Sequence, residues 1–281
     1  MHTRDTADNV SVLCVVGKVM GVTQLHDVVY IVCHQYYTIL RFNATTHQRL
    51  TDIVVKDLSQ PTDIVACERT SQLYVADRWA KCVWRVSSDG EDIKQKRWLP
   101  KSPDDTFKPW TLSVTSTRLL VTIHYPHQLR EFDSDGDELR RVQLPDDMEP
   151  YHAVESPIGT LIVSRYNRQV KQEQDVYQGQ GDVVEVNTGG EVLRQFSGPR
   201  LSSLGLTAHV AVDSHGNIFV ADYHNHRILL LDAHLSLRRV IIDEHQLNDK
   251  SPWRLCYREQ SGQLLVGFSE AGVAVFSVLC R

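Results

Sequence analysis

The chain has 281 residues, 42% of them hydrophobic, 23% charged and 8% aromatic, and a formal net charge of -5. Those proportions exclude a collagen-like, wholly disordered or disulfide-scaffold chain, and the acidic balance argues against a nucleic-acid binder acting with its whole surface. No apolar run approaches the roughly 18 residues that cross a membrane, so no membrane association is expected.

From the N-terminus, Val10-Ser-Val-Leu-Cys-Val-Val16 reads as an isolated strand. Neither it nor the preceding residues have the basic start and cleavable apolar core of a secretory signal. A repeat then runs through the chain. Its anchored copies begin Pro61-Thr-Asp-Ile-Val-Ala, Pro109-Trp-Thr-Leu-Ser-Val, Pro150-Tyr-His-Ala-Val, Thr207-Ala-His-Val-Ala-Val and Pro252-Trp-Arg-Leu-Cys. A degenerate copy begins Met20-Gly-Val-Thr. The anchors at 61, 109, 150, 207 and 252 lie 48, 41, 57 and 45 residues apart. Each opening run is followed by a second, such as Gln72-Leu-Tyr-Val-Ala-Asp77, and a third, such as Val83-Trp-Arg-Val86. Several copies add a tight turn (Ser134-Asp-Gly136, Thr188-Gly-Gly190) and a fourth run. Short runs rich in Val, Ile, Leu and aromatics, bounded by Asp-Gly and Gly-Gly, are strands joined by hairpins.

The expected fold is therefore all-β: a six-bladed β-propeller of four-stranded antiparallel blades. The approximate repeats are 20–60, 61–108, 109–149, 150–206, 207–251 and 252–281, in one domain over 1–281. The last repeat stops after three strands at Val278, so residues 10–16 are expected to complete it, closing the ring and removing a sheet edge. The six cysteines are scattered, without a Cys-x-x-Cys pair, which points to a reducing, cytoplasmic setting.

The fifth repeat, His209-Val-Ala-Val-Asp-Ser-His-Gly-Asn-Ile-Phe-Val-Ala-Asp-Tyr-His-Asn-His-Arg-Ile228, resembles an NHL repeat. The resemblance implies a six-bladed propeller similar to the C-terminal part of tripartite-motif proteins. In those proteins it implies partner binding, including substrate recognition within a ubiquitin ligase, and in some cases single-stranded RNA binding. No zinc spacing or heptad run accompanies it here, so ligase activity is not carried over. Asp222, Asn225 and Arg227, which belong to the motif, are read as shaping the turn between strands two and three.

In a meander of this kind the second-to-third loops and the links between blades share one face. The long segments 95–108, 165–181, 223–226 and 243–251 are assigned to it, and 171–181 is read as a candidate ligand-contacting finger. The same face receives the start of each inner strand, where Asp63, Thr111, His152, His209 and Arg254 occupy one equivalent position as a polar ring. Beside them Trp110 and Trp253 are candidate anchors for a protein or peptide. Lys94, Lys96, Arg97, Lys101 and Lys108, interleaved with Trp98, Phe107 and Trp110, give 94–108 a net charge of +3. With Arg165 they would form a single-stranded RNA surface.

Three readings follow. The first is a non-enzymatic platform for a protein partner, working as a monomeric propeller or as part of a larger chain, with no cofactor and no catalytic residue. The second is RNA binding on the basic face. The third is a metal-dependent lyase or hydrolase using Asp63, His152 and His209.

Overall fold

The computed structural model describes residues 11–87, 94–102, 104–115, 117–167, 180–196 and 209–278. The candidate finger at 171–181 therefore falls almost wholly outside the described residues. Six four-stranded antiparallel sheets form the blades. The first strand in the chain, β1 (Ser11–Leu13), belongs to the last blade. Blade 1 is β2 (Val19–Leu25), β3 (Val28–Cys33), β4 (Thr38–Asn43) and β5 (Arg49–Val54). Blade 2 is β6 (Pro61–Cys67), β7 (Gln72–Asp77), β8 (Cys82–Ser87) and β9 (Gln95–Leu99). Blade 3 is β10 (Pro109–Val114), β11 (Leu119–Ile123), β12 (Gln128–Phe132) and β13 (Glu138–Gln143). Blade 4 is β14 (Met148–Glu155), β15 (Leu161–Asn167), β16 (Gln180–Val186) and β17 (Val192–Gln195). Blade 5 is β18 (Val210–Val212), β19 (Ile218–Asp222), β20 (Arg227–Leu231) and β21 (Leu237–Ile242). Blade 6 is β22 (Pro252–Arg258), β23 (Gln263–Phe268) and β24 (Val273–Ser277), completed by β1, whose Ser11 pairs with Val275 and Leu13 with Val273. The expected closure by the N-terminal strand is what the structure shows.

The core lies between blades. Leu255, Leu264 and Phe276 of blade 6 pack on Phe219, Ile228 and Leu230 of blade 5. On its other side blade 6 gives Leu265 and Val273 to Val22, Ile31 and Phe42 of blade 1. The remaining blade pairs repeat the pattern. A strand packed on both faces alternates which neighbour it feeds, so its central residues read as a continuous apolar run.

One irregularity recurs and positions everything that follows. The inner strand slips register by one residue between Val19 and Gly21, Pro61 and Asp63, Pro109 and Thr111, Pro150 and His152, and Pro252 and Arg254. The skipped residues are Met20, Thr62, Trp110, Tyr151 and Trp253. A bulge leaves one residue unpaired and re-aims the next. Proline tolerates the start of such a strand because no ladder donor is needed there.

Two expectations are corrected. Residues 95–99 form strand β9 rather than a loop, so Lys96 and Arg97 ride the outer strand of blade 2. Asp104, Thr106 and Phe107 of the same segment are tied down. The buried Arg130 donates to Asp104 at 2.6 Å and to the Thr106 hydroxyl at 2.8 Å, and its guanidinium lies over the Phe107 ring.

Candidate functional site

Four polar side chains at the start of inner strands latch one blade to another. Asp63 accepts its own neighbour's amide from Ile64 at 2.9 Å and that of Leu112, in the next blade, at 2.8 Å. Thr111 donates its hydroxyl to the Tyr151 carbonyl at 2.8 Å. His209 accepts the Leu255 amide at Nδ1, at 3.3 Å. Arg254 donates to the carbonyls of Met20 at 2.6 Å, Trp253 at 3.2 Å and Thr62 at 3.2 Å, joining blades 6, 1 and 2. In blade 1 the equivalent residue is Gly21, where an added Cβ would meet the Ile64 nitrogen at 2.5 Å.

Asp63, His152 and His209 converge: one ligand-type atom from each lies within 4.8 Å of the others, and all three are buried. Burial pushes the Asp63 carboxyl up to about 7, against the pull of Arg254 and of the two backbone amides. Burial, then Arg254, lowers His152 to about 3. His209 is held well below its usual range by burial, by His152 and by Arg254. Both imidazoles are therefore neutral near pH 7.

A transition-metal ion does not fit this arrangement. The two rings are stacked, with centroids 3.7 Å apart and planes 16° from parallel. In-plane lone pairs of stacked rings run alongside each other and do not meet at an ion about 2.0–2.1 Å from each nitrogen. The Leu255 amide uses the Nδ1 lone pair of His209, so the proton of the neutral ring sits on Nε2. That edge is a donor, not a ligand. Arg254 adds a positive charge to the same cluster.

The ring is the closed end of a central channel of about 840 Å³. Its lining runs from Asp63, His152, His209 and Arg254 along the inner strands to Thr115, Ser156, Pro157, Ser214 and Glu259 in the first-to-second turns. No lining residue precedes the ring in those strands. The channel thus opens on the face of the first-to-second turns, opposite to that of the long loops. Its rim acids are engaged: Glu68 pairs with Arg258, Glu155 with Arg118 at 3.3 Å, and Glu259 accepts from Ser214.

The face of the second-to-third loops is different in character. Trp110, half-buried at its bulge, has the Arg78 guanidinium 5.0 Å above its ring and His124 at 5.8 Å. His124 in turn lies 5.4 Å from Tyr151. Beside this row Trp79 is 76% exposed and Tyr125 71%. Tyr36 and Tyr37 are exposed in the corresponding loop of blade 1. Sequence reasoning missed Trp79 and Tyr125. The signal was there: an aromatic follows the second strand in Tyr36, Trp79, Tyr125 and Tyr223.

Other expected site residues take structural roles. Trp253 is only 9% exposed, covered by the Lys18 ammonium 3.5 Å from its ring centroid and by Tyr223 at 5.4 Å. Arg165, buried in β15, pairs with Asp182 at 3.2 Å. Arg97 donates to the Ala80 carbonyl at 2.9 Å. Lys96 and Arg97 stand on the outer strand of blade 2, whereas Arg165 is buried on blade 4. Trp98, on Tyr74 at 4.8 Å, and Phe107 are buried, so neither offers a ring to a base. Asp222 accepts from Asn225 at 2.8 Å and Arg227 at 2.8 Å, and Asp77 from Ser59, Gln60, Ala80 and Trp84, as turn-shaping residues do.

Comparison with known families gives a match over one repeat. Residues 209–229 match the NHL repeat. No curated protein matches the sequence. Among solved structures, the chain is similar to a gluconolactonase from Xanthomonas campestris (12% identity, 95% of this chain and 89% of that one, TM-score 0.67). It is also similar to virginiamycin B lyase from Staphylococcus aureus (11%, 96% and 99%, TM-score 0.65). A third similar structure is hydrazine synthase from Kuenenia stuttgartiensis (12%, 100% and 99%, TM-score 0.65). At such identities the likeness is one of fold, and function has to be argued from the site. No helix among the described residues is long and apolar enough to cross a membrane.

Proposed function

We propose that this chain is a non-enzymatic binding platform that docks a protein or peptide on the face of the second-to-third loops, through Trp79, Trp110 and Tyr125. One observation carries the reading: the aromatic row from Arg78 and Trp110 to His124 and Tyr151 spans three blades and is flanked by two exposed rings. Aromatics and arginine supply most of the contact energy at protein interfaces, and exposed rings in adjacent loops leave their faces open to a partner. The NHL match supports a binding role of this kind.

The test is affinity capture with the native chain and with Trp79→Ala/Tyr125→Ala, compared at equal melting temperature. The variant should lose the main partner. Unchanged capture would refute the choice of face. Loss of captured RNA in Lys96→Ala/Arg97→Ala, with no effect of the aromatic variant, would favour RNA instead.

A further inference from the structure

We infer that the closed end of the central channel binds the carboxylate, or a similar oxyanionic end, of a small molecule that enters from the face of the first-to-second turns, with Arg254 and His209 as its receptors.

The inference is independent of the docking face and rests on the floor of the channel. Arg254 is a buried guanidinium bonded to three backbone carbonyls, Met20, Trp253 and Thr62, and to no carboxylate among the described residues. A buried charge without an opposite charge in contact is costly, and three carbonyls leave two of its five N–H groups for another acceptor. The nearby carboxyl, Asp63, is committed to two backbone amides.

The second observation is at the histidines. His152 is 2% and His209 8% exposed, both line the channel, and His152 Nδ1 and His209 Nε2 have no hydrogen-bond partner among the described residues. Since His209 Nδ1 accepts the Leu255 amide, its Nε2 is an N–H lacking an acceptor. Buried polar groups are nearly always paired, so an orphaned donor beside a cation bonded to no carboxylate among the described residues, at the end of a cavity, calls for an anionic acceptor. Asp63, raised by burial, can meet the same anion as a protonated, donating carboxyl.

The walls define the rest of the ligand. Above the floor the half-buried Val65, Val114, Val154 and Val212 and the hydroxyl-bearing Ser113 line the channel. Such walls suit a short aliphatic body rather than a polyanion. The volume, about 840 Å³, falls in the range of small-molecule pockets, roughly 300–1,000 Å³.

The test is an NMR titration of the full chain with sodium hexanoate, hexan-1-ol, hexylammonium chloride, sodium phosphate and zinc chloride at constant ionic strength, following the ring signals of His152 and His209. Hexanoate should give saturable shifts, with hexanol at least about tenfold weaker, because a hydrogen bond to a charged group is worth roughly 1.5–3 kcal/mol. Saturation by phosphate, without hexanoate, would keep the oxyanion receptor but overturn the aliphatic body. Equal binding of hexylammonium, stoichiometric zinc binding at these rings, or no saturable shift with either oxyanion would overturn the proposal. Arg254→Met should abolish the shifts. Because that variant also loses a latch between blades, His209→Asn is the second arm. Its Oδ1 can still accept the Leu255 amide while the Nε2 donor is gone, so the fold should persist and hexanoate affinity fall about tenfold.

Discussion

Arg254 in the last blade donates its Nε to the carbonyl of Met20 in the first, at 2.6 Å, across 234 residues of chain. The same guanidinium reaches Thr62 in the second blade. Ring closure therefore depends on a buried cation at the axis as well as on strand β1 at the rim. Arg254→Ala should strand three carbonyls and cost about 3 kcal/mol, visible as a lower urea midpoint. For that reason this residue cannot be used to test partner docking on a folded protein.

Gly21 makes the closure possible. A methyl group there would sit 2.5 Å from the Ile64 nitrogen and 2.7 Å from Asp63 Oδ1. Backbone cannot retreat as a flexible side chain can. Gly21→Ala should cost about 3 kcal/mol in chemical denaturation, whereas Gly159→Ala, with open space around it, should show only the strain of its positive φ.

Asp63 and His152 bend the pH profile in opposite directions. The Asp63 carboxyl has a folded value of about 7 against 3.8 unfolded, so between these values the folded chain holds a proton that the unfolded chain has lost. Its contribution is complete below about pH 4 and is lost as the pH rises to about 7. His152, at about 3 against 6.5, contributes above about pH 6.5 and loses that contribution as the pH falls towards 3. His209 acts in the same direction. Asp63→Asn should therefore gain stability relative to the native chain as the pH rises from 4 to 7, in urea curves taken across that range. A constant difference would contradict the assigned burial of the charge.

Two tryptophans of opposite burial, Trp253 and Trp79, should separate stability from binding. Trp253→Ala removes a ring packed under Lys18 and Tyr223 and should cost roughly 3–5 kcal/mol. Trp79→Ala removes a largely exposed ring and should change stability by no more than about 0.5 kcal/mol. Thermal denaturation of both variants checks the pair.

Much of the fold was legible. The repeat, the six blades, the closing strand and the shared position of Asp63, Thr111, His152, His209 and Arg254 all follow from local runs and turns at a regular spacing. The turn role of Asp222, Asn225 and Arg227 was legible too, because it involves neighbours in the chain. The basic segment misled because charge and ring content were read without register. Once 95–99 is a strand, Trp98 turns into the core between blades 2 and 3, Lys96 stays outside, and Arg97 caps a loop. Trp253 misled for a similar reason: Lys18, far away in sequence, covers it.

By itself the sequence determined the architecture, since alternation, proline-started strands and Asp-Gly or Gly-Gly turns are local properties that repetition reinforces. Only the tertiary structure decided what the axial residues are. The inter-blade amide of Leu255 sets the proton of His209 on Nε2, the carbonyls of Met20 and Thr62 hold Arg254 with no carboxylate bonded to it among the described residues, and burial keeps both histidines neutral. Those contacts join blades that are distant along the chain. Hydrogen-bond donors and charges take their state from such neighbours, and no spacing of residue types records them.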